Sequence, residues 1–276
     1  DYRMANILSG KEVARAIDEE SLLLKGDKKL TLALFKVGNK ENDSSYERGI
    51  FKKCEKLGIE VREVNFELNV NPNVFYNTLD KVNNDDSVDA ILIFRPLPFD
   101  ERDINKYLSI KKDVDACLDL SLASCFLDND EAFKPCTAES VMRILKYYNI
   151  ELSGKKAVVL GRSAVIGKPV SMMLLKENAT VTIMHSKSVG VEEICREADI
   201  LICATGKMES VTKDYVNSKQ TIIDVGLNYN EAKHKLCGDV LFDEVEPLVK
   251  NITPVPGGVG ALTTSILLNH VVRTIK

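Results

Sequence analysis

Compact apolar runs alternate along this chain with stretches of helical periodicity, and few folds accommodate that order. Residues 30–37, 59–66 and 88–94 read as strands, the last ended by Pro96 and Pro98. Residues 6–24 read as an amphipathic helix after a short extended start. Residues 46–57 form a second helical stretch stopped by Gly58, and 73–83 a third, with 39–45 a polar loop. The pattern then repeats: helix 140–148, strand 156–160, helix 168–176 with Pro169 in its first turn, strand 181–184, helix 191–198, strands 200–204 and 221–225, and an apolar helix at 262–274. Parallel strands need a crossover, and a helix supplies it, so the pattern predicts an α/β protein with parallel sheets. A boundary near 135–140 divides it into an N-terminal α/β domain, residues 1–138, and a second domain, residues 139–261. The final helix, 262–276, is expected to pack back on the first domain.

Composition narrows the function. Hydrophobic residues make up 45% of the 276 and charged residues 28%, enough to fill two cores without a structural metal or disulfides. The formal net charge is -4 with no basic block, which argues against nucleic acid and anionic membranes as partners. The longest apolar run, residues 90–94, is far too short to span a bilayer. No apolar signal segment opens the chain, and residues 1–3 are read as preceding a native Met4. Seven scattered cysteines, with no Cys-x-x-Cys pair, and three histidines point to reduced thiols in the cytoplasm and to no metal site.

The run Ala157-Val-Val-Leu-Gly-Arg-Ser-Ala-Val-Ile-Gly-Lys-Pro169 is a strand, a glycine turn and a helix start. Backbone N–H groups at such a helix start favour a phosphate, and Gly161 and Gly167 permit the turn and a close approach. The spacing is not Gly-x-Gly-x-x-Gly, so an ordinary βα connection remains open. The following strand ends in Met184-His185-Ser186-Lys187, with no carboxylate to meet a ribose 2′-hydroxyl. Arg162, Ser186 and Lys187 could instead donate to a 2′-phosphate, which predicts NADP rather than NAD, unless they are merely solvated.

A more specific marker is Ile252-Thr-Pro-Val-Pro-Gly-Gly-Val-Gly260 followed by Ala261-Leu-Thr263. With Leu8-Ser-Gly-Lys11, Lys112-Asp-Val-Asp115, Pro135-Cys-Thr137, Gly161-Arg-Ser163, Asp224-Val-Gly226 and Gly238-Asp-Val240, all in order, the chain resembles the methylenetetrahydrofolate dehydrogenase/cyclohydrolase family over nearly its whole length. The resemblance implies a C-terminal Rossmann-like NAD(P)-binding domain, an active-site cleft between the domains, and a homodimer formed through the Rossmann-like domains. It implies a reaction in which hydride passes from the methylene bridge of 5,10-methylenetetrahydrofolate to the nicotinamide. In most members, water then opens the methenyl cation to 10-formyltetrahydrofolate.

The resemblance also assigns residues. Tyr46 matches the tyrosine that lies against the folate rings, and Asp115 the aspartate that hydrogen-bonds the pterin. Pro256, Gly257 and Gly258 would close near the nicotinamide and substrate, and Gly161, Arg162, Ser163, Gly167, Ser186, Lys187 and Gly226 would hold the cofactor. As isolated residues, Tyr46 could be a half-buried core tyrosine and Asp115 a turn cap.

The chain departs from the family where water is activated. The pattern Tyr-x-x-x-Lys reads Tyr46-Glu47-Arg48-Gly49-Ile50, so Ile50 stands at the catalytic lysine. Phe94 stands at the glutamine that partners it, and Asp43 at a serine of the preceding loop. Ala116 replaces a glycine and Ala261-Leu262 a Pro-Met pair, whereas Lys52 matches the family's second lysine. Loss of a positioned proton carrier typically costs about 10²–10⁴-fold in rate. The expectation is therefore a dehydrogenase whose cyclohydrolase step is weak or absent. Two alternatives stay open: a bifunctional enzyme in which Lys53, a turn further along, replaces the lysine, and a catalytically degenerate regulatory subunit that binds folate or dinucleotide.

Overall fold

A computed structural model describes residues 4–38 and 43–275, the side chains of Asp43 and Ser44 excepted. The substitution at Asp43 therefore lies outside the described side chains. The strands are β1 (Asn6–Ile7), β2 (Thr31–Val37), β3 (Glu60–Phe66), β4 (Ala90–Ile93), β5 (Lys156–Leu160), β6 (Thr180–Met184), β7 (Ile200–Cys203), β8 (Thr221–Asp224), β9 (Asn228–Asn230), β10 (Lys235–Cys237) and β11 (Asn251–Ile252). The helices are α1 (Gly10–Lys25), α2 (Asp43–Leu57), α3 (Pro72–Asn83), α4 (Ile104–Tyr107), α5 (Asp119–Phe126), α6 (Cys136–Tyr147), α7 (Gly167–Lys176), α8 (Val191–Arg196), α9 (Phe242–Val245) and α10 (Thr263–Arg273).

These residues form two compact units. One comprises Ala16–Cys136 and residues 264–275, the other residues 4–15 and Thr137–Thr263. In the first, a parallel sheet runs β3-β2-β4, with Phe35 opposite Ile93. Alternate residues of β2 and β4 face α3, and Ala33, Phe35, Ile91 and Ile93 close over Phe75 and Leu79. Phe35 and Phe75 meet edge to face at 5.7 Å. Gly58, at φ 70°, stops α2 as the sequence predicts.

The second unit holds a six-stranded, all-parallel sheet in the order β1-β11-β8-β7-β5-β6, and a separate β9-β10 hairpin. Its central strands β5, β7, β8 and β11 are almost wholly buried, as helix-covered parallel strands should be. Two local expectations shift. The second helix begins at Asp43, within the expected polar loop, rather than at residue 46. The first helix begins at Gly10 rather than at residue 6, because Asn6 and Ile7 pair with Asn251 and Ile252 and extend the sheet of the C-terminal half. The short elements α4, α5, β9, β10 and β11 had no expectation at all, being too brief to show periodicity.

Candidate active site

In the six-stranded sheet the order reverses between β5 and β7, since β6 lies on one side of β5 and β7 on the other. Crossovers leave such a switch point in opposite directions and open a crevice beyond the strand ends. A cavity of about 670 Å³ lies there, lined by Leu160, Gly161, Arg162 and Ser163 after β5, Met184, His185, Ser186 and Ser188 after β6, and Ala204, Thr205 and Lys207 after β7.

The glycine turn that enters the cavity is built as the sequence suggests. Gly161 adopts φ 133°, and a Cβ there would strike the Ala204 carbonyl. A Cβ on Gly167 would strike the Gly161 carbonyl, so the two glycines let strand, turn and α7 close on one another. Ser163 Oγ accepts from the Ile166 and Gly167 N–H groups at 3.1 and 3.3 Å, satisfying donors at the helix start. The structure thus brings Gly161, Arg162, Ser163 and Ser186 to one cavity. Gly167 and Lys187 do not line it; Ser188 does, on the turn that carries Lys187. Lys207, Thr205 and Tyr215 also line it, and no motif in the sequence marked them.

Gly226 does not line this cavity and packs against the aspartate of a second motif. Asp224 and Asp239 are both buried carboxylates. Asp224 accepts from the backbone N–H groups of Gly226, Asp239 and Val240 at 2.9–3.0 Å. Asp239 accepts from those of Thr205 and Gly206, at 2.7 and 3.1 Å. A Cβ on Gly226 would overlap Asp239, and one on Gly238 would overlap Asp224. Each glycine makes room for the carboxylate of the other motif, and the interlocked pair fixes the 205–206 loop at the cavity wall. Burial raises the Asp224 pKa to about 6 against the lowering effect of its three N–H donors. Pro256, with Val255, lines a second cavity of about 330 Å³ beside Asp224. Gly258 is glycine because a Cβ would meet the Pro254 carbonyl, and the Gly257 carbonyl receives the Gly10 N–H at 2.8 Å.

In the other unit, the Lys112-Asp-Val-Asp115 motif continues from the edge of β4, where the Ile91 N–H donates to the Lys112 carbonyl at 2.9 Å. Lys112 Nζ donates to the Asn83 and Asp85 carbonyls at the end of α3. The fully buried Asp113 accepts from the N–H groups of Cys117 and Leu118 and from Ser121 Oγ, and so holds the start of α5. Lys112 and Asp113 are therefore structural. Asp115 receives a hydrogen bond from Cys136, with His270 and Arg95 nearby. Burial raises its pKa to about 6, partly offset by Cys136, His270 and Arg95 and reinforced by Asp113. Tyr46 is half-buried, and its ring meets Phe94 edge to face at 5.9 Å and 81°. Its phenol is pushed well above the ordinary tyrosine range, first by burial and then by the Asp115 and Cys136 charges, so it stays protonated at neutral pH.

Ile50 is fully buried and Phe94 nearly so. Lys53 Nζ is held at 2.7 Å by Asp18 of α1, and Lys52 is exposed. Of the residues around Asp115, the sequence had marked Cys136 only as part of a motif, and Arg95 and His270 not at all. Among the described residues, no group of three or more His, Cys, Asp or Glu is placed to hold a metal, and no helix is long and apolar enough to cross a membrane.

Comparison with known proteins agrees with this arrangement. The catalytic domain of the tetrahydrofolate dehydrogenase/cyclohydrolase family matches residues 8–115, and its NAD(P)-binding domain matches residues 135–276. The bifunctional protein FolD of Carboxydothermus hydrogenoformans is 44% identical over 281 residues, covering 99% of this chain and 98% of that one. The crystal structure of the bifunctional FolD methylenetetrahydrofolate dehydrogenase/cyclohydrolase of Campylobacter jejuni superposes with a TM-score of 0.93 at 35% identity, over 98% of each chain. That of the Trypanosoma brucei FolD enzyme, complexed with NADP cofactor and inhibitor, gives 0.90 at 29% identity, over 99% of this chain and 97% of that one.

Proposed function

The chain belongs to the tetrahydrofolate dehydrogenase/cyclohydrolase family, and on that premise we propose that it oxidises 5,10-methylenetetrahydrofolate to 5,10-methenyltetrahydrofolate with NADP, while its cyclohydrolase step is weak or absent. The observation that carries the second half is the buried apolar pair: Ile50 and Phe94 fill the positions of the proton carrier and its partner, and Lys53 is engaged by Asp18. The cavity beyond β5 and β7 has a volume suited to a cofactor site, and its Gly161–Ser163 turn offers backbone donors to a phosphate. Arg162 and Ser186, which line that cavity, would meet the 2′-phosphate, with Lys187 supplying charge from the adjoining turn. NADP, when bound, supplies the hydride acceptor.

This chain's own residues align the reactants rather than exchange protons with them, and alignment is what hydride transfer chiefly needs. Asp115 accepts pterin N–H groups as a carboxylate, and partial burial strengthens those bonds. Tyr46, held protonated, offers an aromatic face and a hydroxyl donor.

A second reading, the bifunctional enzyme, is favoured by the names of the relatives above and by Asp115, whose pKa of about 6 suits a base near neutral pH. Purified protein decides between them. NADP reduction with methylenetetrahydrofolate, together with methenyl absorbance decaying at its background rate, supports the first; enzyme-dependent decay establishes the second. Melting shifts with NADP and folate but no turnover would mark a binding subunit.

A homodimer through the Rossmann-like unit fits the open edge of its sheet, where Thr180, Thr182 and Ile183 of β6 are exposed. Sedimentation at a monomer's mass would reject it. Seven free thiols suit the reducing cytoplasm.

A further inference from the structure

Asp115 sits in a segment with an unfavourable backbone conformation. Ala116, the next residue, adopts φ 54°, a left-handed conformation that is unfavourable for an alanine and that glycine would take freely. Something must hold it. Downstream, Asp113 gathers the N–H groups of Cys117 and Leu118. Upstream, the hold comes from the far end of the chain. The Val114 carbonyl oxygen lies 2.6 Å from Nδ1 of His270, 156 positions away on α10. A carbonyl only accepts, so Nδ1 carries the proton and donates. The His270 ring is fully buried and stacks on Phe133, with centroids 4.6 Å apart at 22°. Arg273 lies over the other aromatic partner, Phe133, at 5.9 Å. Cys136 Sγ, at the start of α6, is 3.8 Å from the same Val114 oxygen and 3.9 Å from the same Nδ1, and it bonds the Asp115 carboxylate. The Val114–Asp115 pair is thus gripped at its carbonyl by His270 and at its side chain by Cys136.

The geometry points to His270 as a positioning residue for Asp115, one that sets folate affinity without touching the substrate. This rests on the reading of Asp115 as the pterin ligand. A ring with no exposed surface cannot contact a ligand, so it acts on the substrate only through Asp115, by way of the Val114 peptide and its own proximity to the carboxylate. Steric packing alone would be met by any flat ring; the hydrogen bond requires a donor at the Nδ1 position. Asparagine keeps that donor, because its Nδ2 falls where Nδ1 was, whereas phenylalanine keeps the ring and loses the donor.

The test compares His270→Phe, His270→Asn and Asp115→Asn in the full chain by steady-state kinetics, with NADP binding titrated separately by fluorescence. His270→Phe is expected to raise KM for methylenetetrahydrofolate roughly tenfold, as misplacement of a positioning group does, with NADP affinity little changed. His270→Asn is expected to recover most of that loss, and Asp115→Asn to lose at least as much as His270→Phe. Equal losses in the Phe and Asn variants, or a parallel loss of NADP affinity, would make the role one of general packing and overturn the proposal. If Asp115→Asn impairs folate binding while His270→Phe does not, only the positioning role falls. If Asp115→Asn leaves the folate KM unchanged, the Asp115 reading falls and takes this one with it. Should His270→Phe not fold, His270→Gln, whose longer amide overshoots Val114, supplies the same contrast with His270→Asn.

Discussion

Restoring the family's proton carrier gives the sharpest test of the buried apolar pair. Ile50 is fully buried, and Phe94, nearly so, packs its ring against Tyr46. Ile50→Lys alone therefore places an ammonium where no carbonyl has been built to receive it. An unpaired buried charge costs about 3–5 kcal/mol, which in a chain of this size lowers Tm by on the order of 10 °C. Phe94→Gln alone strands an amide in an apolar site, at about 1–3 kcal/mol, and forfeits the edge-to-face contact with Tyr46, worth about 0.5–1.5 kcal/mol. In the double variant the amide oxygen accepts from the ammonium, so the combined loss should be smaller than additive by about 1–3 kcal/mol. The same pairing should restore methenyl hydrolysis toward the roughly 10²–10⁴-fold that a positioned acid–base group supplies. Urea titration of the four proteins gives the coupling, and decay of the methenyl absorbance gives the rate. Strict additivity, or hydrolysis by Ile50→Lys alone as fast as by the pair, would refute the argument that the two positions changed as a unit.

Other outcomes follow from the same geometry. Asp115 and Asp224 both have folded pKa values near 6, above the ordinary 3.8, so the native state holds their protons more tightly than the unfolded chain. Their contribution is fully present below about pH 4 and is lost as pH rises through 6. Asp115→Asn should accordingly raise stability at pH 7, by at most about 3 kcal/mol, in urea titrations whose gap from the parent closes toward pH 4, even as folate affinity falls. A parent whose folate KM is flat from pH 7 to pH 5 would contradict a carboxylate ligand that protonates near 6. Gly238→Ala drives a methyl into the Asp224 carboxylate and breaks its three N–H contacts. A loss of about 3–5 kcal/mol is expected, with weaker NADP binding as Asp239 releases the 205–206 loop; unchanged urea midpoints would refute it. Arg162→Ala with Lys187→Ala should raise KM for NADP about tenfold or more, by removing charge-assisted bonds to the 2′-phosphate, and leave the slower reaction with NAD untouched. An equal loss with both cofactors would assign the two side chains to something other than that phosphate.

Much of this protein is legible in one dimension. The strands of both sheets stand out because parallel strands buried on two faces need continuous apolar runs, as in Ala157–Leu160 and Ile200–Cys203. The glycine turn at Gly161 is readable because few other residues would tolerate its conformation and its approach to Ala204. The replacement at Ile50 is readable by register against Tyr46, and that at Phe94 by its place at the strand end before Arg95-Pro96. The brief strands β1 and β11 are not, since two residues carry no periodicity and gain their order only from each other.

The rest depends on contacts between residues far apart in the chain. Sequence motifs marked Gly226 as a cofactor residue and Gly238 only as part of a motif; the folded backbone shows each vacating space for the other's aspartate. Lys53 lies on the helical face that could have served Tyr46, and the neighbour that decided otherwise, Asp18, is on a different helix. His270 reads as one more residue of an apolar helix until its ring is found donating to Val114. Local propensity and pattern are written residue by residue, and from them the α/β class, the family resemblance and the apolar residues at the proton-carrier position can all be read. That His270 donates to the Val114 carbonyl, 156 positions away, follows from how α10 packs, which no local pattern encodes.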